Sequence, residues 1–496
     1  MELTLDFESR SPIDIKRCGM YVYWQSPYTV PMMLSVKVDD EPTLVWIAPM
    51  FRHLMDTEIT DRDLTGLVNG ADLIIAHNAG FERQGFKYGM TRLGFSDIPL
   101  EKVRCTQAQA LMCALPRDLD SVARITSGGK WLKDKEGHNL MLKMSKPRML
   151  VKAECVPLLP LLIEAGVLME GSQWQDVRRI QGEFLETLAL NRPQAVWQNA
   201  FFKEFLVYRE NEQDFRRLVE YARQDTEVER YVYKQLPKIP EQELRVWFHD
   251  QRINDRGIGV DRESCEGLKR AVDIYVDQLS SHALSLTEGR VTSMKAPASI
   301  SSWLREHGVE TPSIDKEHVK ELLESELPSV VREFLEIRQK TGKSSVAKYE
   351  ALLNYSTVDG RFRGFASYHA ATPGRWGGNG PQLQNLPRPS EKNFVVAGEA
   401  DTRRDVTAFD TDIPLLTSCD FEFAQFFWKD LMVLASDLIR PMLVAKEGHD
   451  LIAADYSSVE ARVLAWLAGQ QDVLDGFVRG LDIYKVAASG IFKIPY

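Results

Sequence analysis

Met1-Glu2-Leu3-Thr4-Leu5-Asp6-Phe7-Glu8 opens the chain, and its alternation decides the first fold reading. Leu3, Leu5 and Phe7 alternate with Thr4, Asp6 and Glu8, the period of two that a β-strand imposes. Residues two apart share a face, so Asp6 and Glu8 project side by side, and two adjacent carboxylates repel unless a cation sits between them. For an isolated triplet of this common kind, a solvated edge strand is the better account. Working outward, Met33–Val38 and Leu44–Ala48 read as further strands around the turn Asp39-Asp40-Glu41-Pro42, which together predict an antiparallel meander.

Another apolar run, Leu73–Ala76, ends at His77-Asn78, and a strand end is where a loop projects functional side chains. Asn78, Phe81 and Glu82 follow it. A helix is expected from Glu212 to about Leu236, closed by Pro237-Lys238-Ile239-Pro240. Within it Tyr221 and Asp225 are four apart and share one face with Leu218, Ala222 and Val228 nearby. A carboxylate on an apolar stripe is costly unless it is paired or binds a metal.

The whole chain has 496 residues, which suggests three domains at about 150 residues each. With 44% hydrophobic and 27% charged residues it has the composition of a globular protein. Lys and Arg number 61 against 71 Asp and Glu, a net charge of −10, which argues against a protein that simply coats nucleic acid. Any groove for a polyanion must be local. The six cysteines form no C-x-x-C pair, so neither zinc nor a disulfide framework is expected and a reducing cytoplasm fits. The first residues lack a basic and apolar leader pattern, and no apolar run reaches membrane-spanning length. The expected location is cytoplasmic, in a host cell if the protein is viral, with no membrane partner.

From Val260 the texture turns helical, with Leu268, Val272, Tyr275, Val276, Leu279 and Ala283 at three- and four-residue spacings, and helical patterns continue through Lys316–Leu353. Short strands and turns are expected from Gly360 to Pro389, a polar loop or insertion over Ser390–Thr417, and a strand over Asp450–Asp455. A helix then carries Val459, Val463, Leu464 and Leu467 on one face, capped by Ser457 or Ser458. Between Arg338 and Arg375 the basic residues outnumber the acidic ones, so this segment, Lys343 included, could follow a phosphate backbone. Gly342-Lys343-Ser344 lacks the upstream glycine of a phosphate loop, because Ile337 stands there.

D-x-E on the first strand, N-x-x-x-[DE] after a later strand and Y-x-x-x-D on a helix, in that order, resemble the DEDD 3′–5′ exonucleases. The resemblance implies two divalent ions, Mg²⁺ or Mn²⁺, held by Asp6, Glu8, Glu82 and Asp225, with Tyr221 orienting the attacking water. Such a site needs hard oxygen ligands. Glu82 departs from the Asp usual in polymerase-associated members.

Three later segments resemble family A DNA polymerases: Pro373-Gly374-Arg375-Trp376-Gly377-Gly378, Gln382-Leu383-Gln384-Asn385-Leu386-Pro387, and Ala454-Asp455-Tyr456-Ser457-Ser458-Val459-Glu460-Ala461-Arg462. Asn254-Asp255-Arg256-Gly257-Ile258-Gly259-Val260-Asp261 is similar to the start of that family's polymerase region, and Ser436–Ala445 looks most like the phage-type branch. Pro373, Gly377-Gly378 and Ser458 depart from the usual Thr, Ser pair and Gln. By this resemblance Asp455 and the Tyr456 carbonyl hold Mg²⁺ and the incoming dNTP, and Glu460 excludes a ribose 2′-hydroxyl. Arg375 contacts the primer end, while Gln384 and Asn385 sense the minor groove of the primer-template.

The basic fingers helix and the H-D-E motif of the family are not found after Glu460. The resemblance therefore implies the N-terminal portion of a family A polymerase. Its expected parts are a ribonuclease H-like α/β exonuclease domain with a mixed sheet (1–237), a polymerase lead-in and mainly helical thumb (241–354) and an incomplete α+β palm (355–496). Its expected partners are DNA primer-template, single-stranded 3′ ends, dNTPs and a second chain that completes the palm and fingers. A stand-alone DEDD nuclease, acting on RNA, and a non-catalytic DNA-binding polymerase subunit are the alternatives.

Overall fold

The structure, a computed structural model, describes residues 1–131, 134–192, 200–371, 373–389 and 409–496. The N-terminal sheet contains β1 (Glu2–Arg10), β2 (Val30–Val38), β3 (Leu44–Ile47), β4 (Leu73–Ala76) and β5 (Val103–Cys105) in the order β3-β2-β1-β4-β5. β1, β2 and β3 form the expected antiparallel meander, while β4 and β5 add on in parallel, so the sheet is mixed.

β1 is thus central, and the solvated-edge reading of its acidic face is overturned. Leu3, Leu5 and Phe7 fill one side, where Phe7 packs on Trp24 and Phe86 with ring centroids 5.6 and 5.4 Å apart. Burying each of these side chains contributes roughly 1.5–3 kcal/mol. The alternate side is covered too, so Thr4 and Glu8 are buried despite their polarity. The register shifts between Glu8 and Ser9, just beyond the acidic pair, and pairing then continues, Ser9 with Pro31 and Arg10 with Val30.

The helices around this sheet are α1 (Ile15–Gln25), α2 (Asp61–Gly70), α3 (Gly80–Gln84), α4 (Thr106–Met112), α5 (Leu119–Thr126), α6 (Lys135–Met144), α7 (Lys152–Glu164), α8 (Trp174–Ala189) and α9 (Glu212–Gln235). α9 matches the helix expected from Glu212 and begins at Asn211, whose side chain accepts from the Asp214 amide at 2.7 Å. It lies against β1, β2, β3 and β4. α10 (Glu241–Arg256) starts after the proline-bounded break, and α11 (Arg262–Leu286) buries Leu268, Val272, Tyr275 and Ala283 as its spacing requires.

The pattern over Lys316–Leu353 resolves into α12 (Lys316–Leu323), α13 (Ser329–Thr341) and α14 (Ala347–Tyr355). Trp303 and Phe334 pack at 4.8 Å in one helical core, and Tyr349, Phe362, Trp428 and Leu434 belong to a second. Short strands do occur in the Gly360–Pro389 stretch. Arg361–Phe362 pairs with Ile258–Val260, and Ala366–Ser367 pairs with Gly377–Gly378.

Two segments do not take the structure expected of them. Of the supposed polar loop Ser390–Thr417, residues 390–408 lie outside the described residues, but Phe409–Thr417 is a helix. Asp450–Asp455 is not a strand. Among the described residues no neighbouring strand pairs with it, and an extended segment without a partner leaves its backbone groups to water.

Residues Met1–Val444 form one unit and Ala445–Tyr496 another. The second contains helices Val459–Leu467, Gln471–Val478 and Ile483–Phe492, in which only Ala465 and Gly476 are buried. The predicted face of Val459, Val463, Leu464 and Leu467 is exposed there. Ser458 precedes the first of these helices with a left-handed φ of 52° and makes no side-chain cap, contrary to the expected serine cap. No helix among the described residues is long and apolar enough to cross a membrane.

Candidate active site

Asp6 and Glu8 stand on the face of β1 that α9 covers. Ser35 is the cross-strand partner of Asp6, and its hydroxyl donates to the Ala222 carbonyl at 3.2 Å and is hydrogen-bonded to the Thr226 hydroxyl. Those two α9 positions flank Asp225, so the helix is pinned to the strand at the level of Asp6. Glu82 arrives from the far end of β4. Asn78 takes a left-handed φ of 61°, which Asn tolerates, and the Phe81 amide donates back to its carbonyl at 2.8 Å, starting α3.

Electrostatics link these groups. Burial and the Asp225 charge push the Asp6 carboxyl well above the usual range. Glu8 is raised by burial and by both Asp6 and Asp225. Glu82 is raised by burial and Asp6. Tyr221 is buried, donates its hydroxyl proton to Asp225, and is held protonated by burial and by that carboxylate. Groups from three distant segments are therefore linked: Asp6 with Asp225 and Glu8, Glu82 with Asp6, and Tyr221 with Asp225.

No ion pair from Lys or Arg reaches Asp6, Glu8 or Glu82 among the described residues, and the buried Oε2 of Glu82 has no hydrogen-bond partner. An all-oxygen donor set of this kind, carrying mutual repulsion and an orphaned buried oxygen, suits a hard divalent cation. Among the described residues no three His, Cys, Asp or Glu side chains are grouped so as to hold a metal ion. A cavity of about 80 Å³ adjoins Asp225, lined by Asp118, Asp120, Trp131 and Gln224 among others.

The motifs did not single out Glu229. It lies four residues beyond Asp225 on α9, is 1% exposed, and accepts a hydrogen bond from the His77 backbone amide. Its Oε1 has no partner. The spacing Tyr221, Asp225, Glu229 was the available signal, since each step of four stays on one helix face. Nearby, burial lowers the His77 imidazole to about 4; its ring nitrogens contact the Thr106 hydroxyl at 2.8 Å and the Arg117 carbonyl at 2.9 Å.

Further along the chain, the basic segment turns most of its charge inward. Lys343 is half-buried and paired with Asp430 at 3.4 Å, and Lys348 donates to the Pro381 carbonyl at 2.6 Å. Arg338 donates to the Met294 carbonyl, and Arg363 pairs with Asp359 at 2.6 Å. Arg375, Gln384 and Asn385 are exposed. Their loop is anchored by Trp376, whose indole donates to Asp250 at 2.7 Å.

A Cβ at Gly377 would lie 2.6 Å from the Ala370 Cβ, so a serine there would require that segment to shift, whereas at Gly378 it would meet only the terminal amide of the exposed Gln384 side chain, which can turn aside. In the second unit Asp455, Tyr456 and Glu460 are all exposed. Arg462 donates to the Ser457 carbonyl at 2.9 Å and lies over the Phe477 ring at 4.2 Å.

The sequence profile described as DNA polymerase family A matches residues 262–496. That match covers just under half of the chain, and over it the sequence is similar to DNA polymerase family A. The DNA polymerase of Bacillus phage SP02 is 27% identical over 496 residues, 99% of this chain, and the chain spans 65% of that relative's length. A shorter stretch is similar to DNA polymerase I of Pseudomonas aeruginosa, 42% identical over 57 residues, 12% of the chain and 6% of that protein. The thermostable DNA polymerase I of Thermus aquaticus is 44% identical over 57 residues, 12% of the chain and 7% of that enzyme. A solved structure, the POL domain of Pol1 from M. smegmatis in complex with DNA primer-template and dNTP, superposes with a TM-score of 0.49 at 15% identity, over 99% of this chain and 64% of that one. The carboxylate site lies before the family A region, in the part that the phage relative spans.

Proposed function

We propose that the chain hydrolyses 3′-terminal nucleotides of DNA at the Asp6, Glu8, Glu82 and Asp225 site and contributes residues 262–496 to a DNA-directed DNA polymerase site. The observation that carries the first half is the meeting of four carboxylates from three separate segments, with Tyr221 hydrogen-bonded to Asp225 and no neutralising Lys or Arg on Asp6, Glu8 or Glu82 among the described residues. When bound there, two ions of Mg²⁺ or Mn²⁺ would supply positive charge to the attacked phosphate and lower the pKa of the attacking water. Tyr221 keeps its proton on Asp225, which leaves the phenol oxygen to accept from that water and orient it. Water adds to phosphorus, the bond to the preceding 3′-oxygen breaks, and that oxygen leaves with a proton, releasing a nucleoside monophosphate.

In the polymerase half, Arg375, Gln384 and Asn385 are exposed in a loop held by the Trp376–Asp250 bond, which suits contact with the primer-template minor groove. Lys343 is tied to Asp430 and would follow a phosphate only by exchanging that partner. Asp455 and the Tyr456 carbonyl are assigned to Mg²⁺ and dNTP, and Glu460 to rejection of the ribose 2′-hydroxyl.

Incubating the purified chain with 5′-labelled single-stranded DNA or RNA and Mn²⁺ tests the nuclease half. Stepwise shortening of DNA from the 3′ end is expected, halted by EDTA. Equal shortening of RNA would favour a ribonuclease, and intact DNA would refute the reading.

Gly137 offers a finer test. A Cβ at this α6 position would lie 2.5 Å from Tyr221 Cδ2 and 2.9 Å from its Cβ, so Gly137→Ala must displace the phenol. A loss of about 1–3 kcal/mol in stability is expected from such overpacking. Nucleotide release should slow by more than thermal unfolding accounts for, read by comparing the melting midpoint and the rate well below it.

A further inference from the structure

Resting on the polymerase half of the function proposed above, we infer that Asp250 is a positioning residue for the primer-template loop: from one face of α10 it fixes Trp376, and through Trp376 the direction of Arg375. Glu243, Asp250 and Asn254 stand seven and then four residues apart, so they share that face. All three reach the segment that carries Arg375. Asn254 brackets Ala366, its Nδ2 donating to the carbonyl and its Oδ1 accepting from the amide, both at 2.9 Å. Glu243 accepts from the Tyr368 hydroxyl at 2.7 Å, and Asp250 accepts from the Trp376 indole at 2.7 Å. Ala366–Ser367 pairs with Gly377–Gly378, so α10 grips the chain on both sides of Arg375.

What distinguishes Asp250 from a polar group that is merely satisfied is the order of its bonds. Gln251 Oε1 accepts from Arg83 at 3.1 Å, which turns its Nε2 onto Asp250 Oδ2 at 3.0 Å. The same oxygen accepts from Asn254 Nδ2 at 3.3 Å, and the paired bonds to Ala366 leave that amide no freedom to flip. Both neighbours therefore present N–H groups to Oδ2, and Oδ1 is left for the indole. Only a carboxylate accepts on both sides. Its 2% exposure pushes the carboxyl up to about 6, a desolvation cost that an apolar side chain at this position would spare α10. Trp376, by contrast, is 43% exposed and meets Tyr368 edge-on with ring centroids 5.8 Å apart, so burial alone does not fix its ring. The bond to Asp250 does so, one residue from Arg375.

The test is the affinity of the full chain for a fluorescein-labelled primer-template duplex, read by fluorescence anisotropy in EDTA so that no nucleotide is removed. Arg375→Ala should weaken binding about 10-fold, the scale of one good contact to a base edge. Trp376→Phe keeps an aromatic ring and loses the N–H, while Asp250→Ala loses the acceptor, and each should weaken binding about 5-fold or more. In the Arg375→Ala background neither should weaken it further, because a residue that acts through Arg375 then has nothing left to position. A general loosening of the fold would instead add its loss in full.

If Arg375→Ala weakens binding but either Asp250→Ala or Trp376→Phe binds as wild type, or if their losses add in full to that of Arg375→Ala, Asp250 is not a positioning residue and the primer-template reading stands without it. If Arg375→Ala binds as wild type, the primer-template reading of this loop itself fails, and the proposal with it. Melting curves establish that each variant folds. Should Asp250→Ala unfold because Gln251 and Asn254 lose their acceptor, Trp376→Phe carries the same test alone, and binding at the wild-type level overturns the proposal.

Discussion

Replacing both Asp6 and Asp225 by alanine is expected to slow release of 3′ nucleotides by ~10³-fold or more, the scale on which removing a principal charge-stabilising group acts. The two residues face each other across the β1–α9 seam, and each raises the proton affinity of its neighbours there. Removing them takes away two of the four carboxylates of the proposed site and the partner of the Tyr221 hydroxyl together. The fold should survive, because two mutually repelling carboxylates leave the interior and, among the described residues, no Lys or Arg is paired with Asp6 to be orphaned. The metal-free variant should melt at or above the wild-type temperature while its activity disappears, a combination that a merely destabilised protein cannot give. The single Asp225→Ala variant should lose nearly as much, since groups acting as one unit are not additive. Activity at the wild-type rate in the double variant, measured on 5′-labelled single-stranded DNA, would rule the site out.

The parts of this arrangement differed in how visible they were. Period-two alternation placed Asp6 and Glu8 on one face of a strand, and four-residue spacing put Tyr221 beside Asp225, because both depend only on local backbone geometry. That β1 is central, with its acidic face covered, depends on β4 adding in parallel beyond it, a pairing that local pattern does not encode. Glu229 escaped notice for a related reason: a glutamate on a helix reads as solvent-facing until the sheet it packs against is known. The basic stretch from Arg338 to Arg375 misled in the opposite direction, since charge counting cannot reveal that Lys343, Lys348 and Arg338 are spent on Asp430 and on backbone carbonyls. Asp450–Asp455 has the composition of a strand without a strand beside it, and composition alone cannot supply the partner.

Asp255→Ala is expected to cost ~3–5 kcal/mol of stability, the penalty for leaving a buried charge without its partner. Arg83 is buried and its guanidinium meets Asp255 at 2.6 Å, while Tyr21 donates to the same carboxylate at 2.7 Å and Gln84 at 3.1 Å. Asp255 therefore ties α1 and α3 to the end of α10, immediately before the strand Ile258–Val260. Arg83 also reaches Gln251 at 3.1 Å, which is too little to replace a carboxylate. Because Arg83 and Gln84 directly follow Glu82, loosening them should also disturb the proposed carboxylate site, so nucleotide release should fall even at temperatures where the variant is folded. Tyr21→Phe removes only one hydrogen bond from the hub and should cost about 1 kcal/mol. Urea unfolding of the two variants beside wild type separates the cases: if Asp255→Ala loses no more than Tyr21→Phe, Arg83 has found another partner or water. Asp255→Asn should fall between them, since the amide still accepts one hydrogen bond but cannot neutralise the guanidinium.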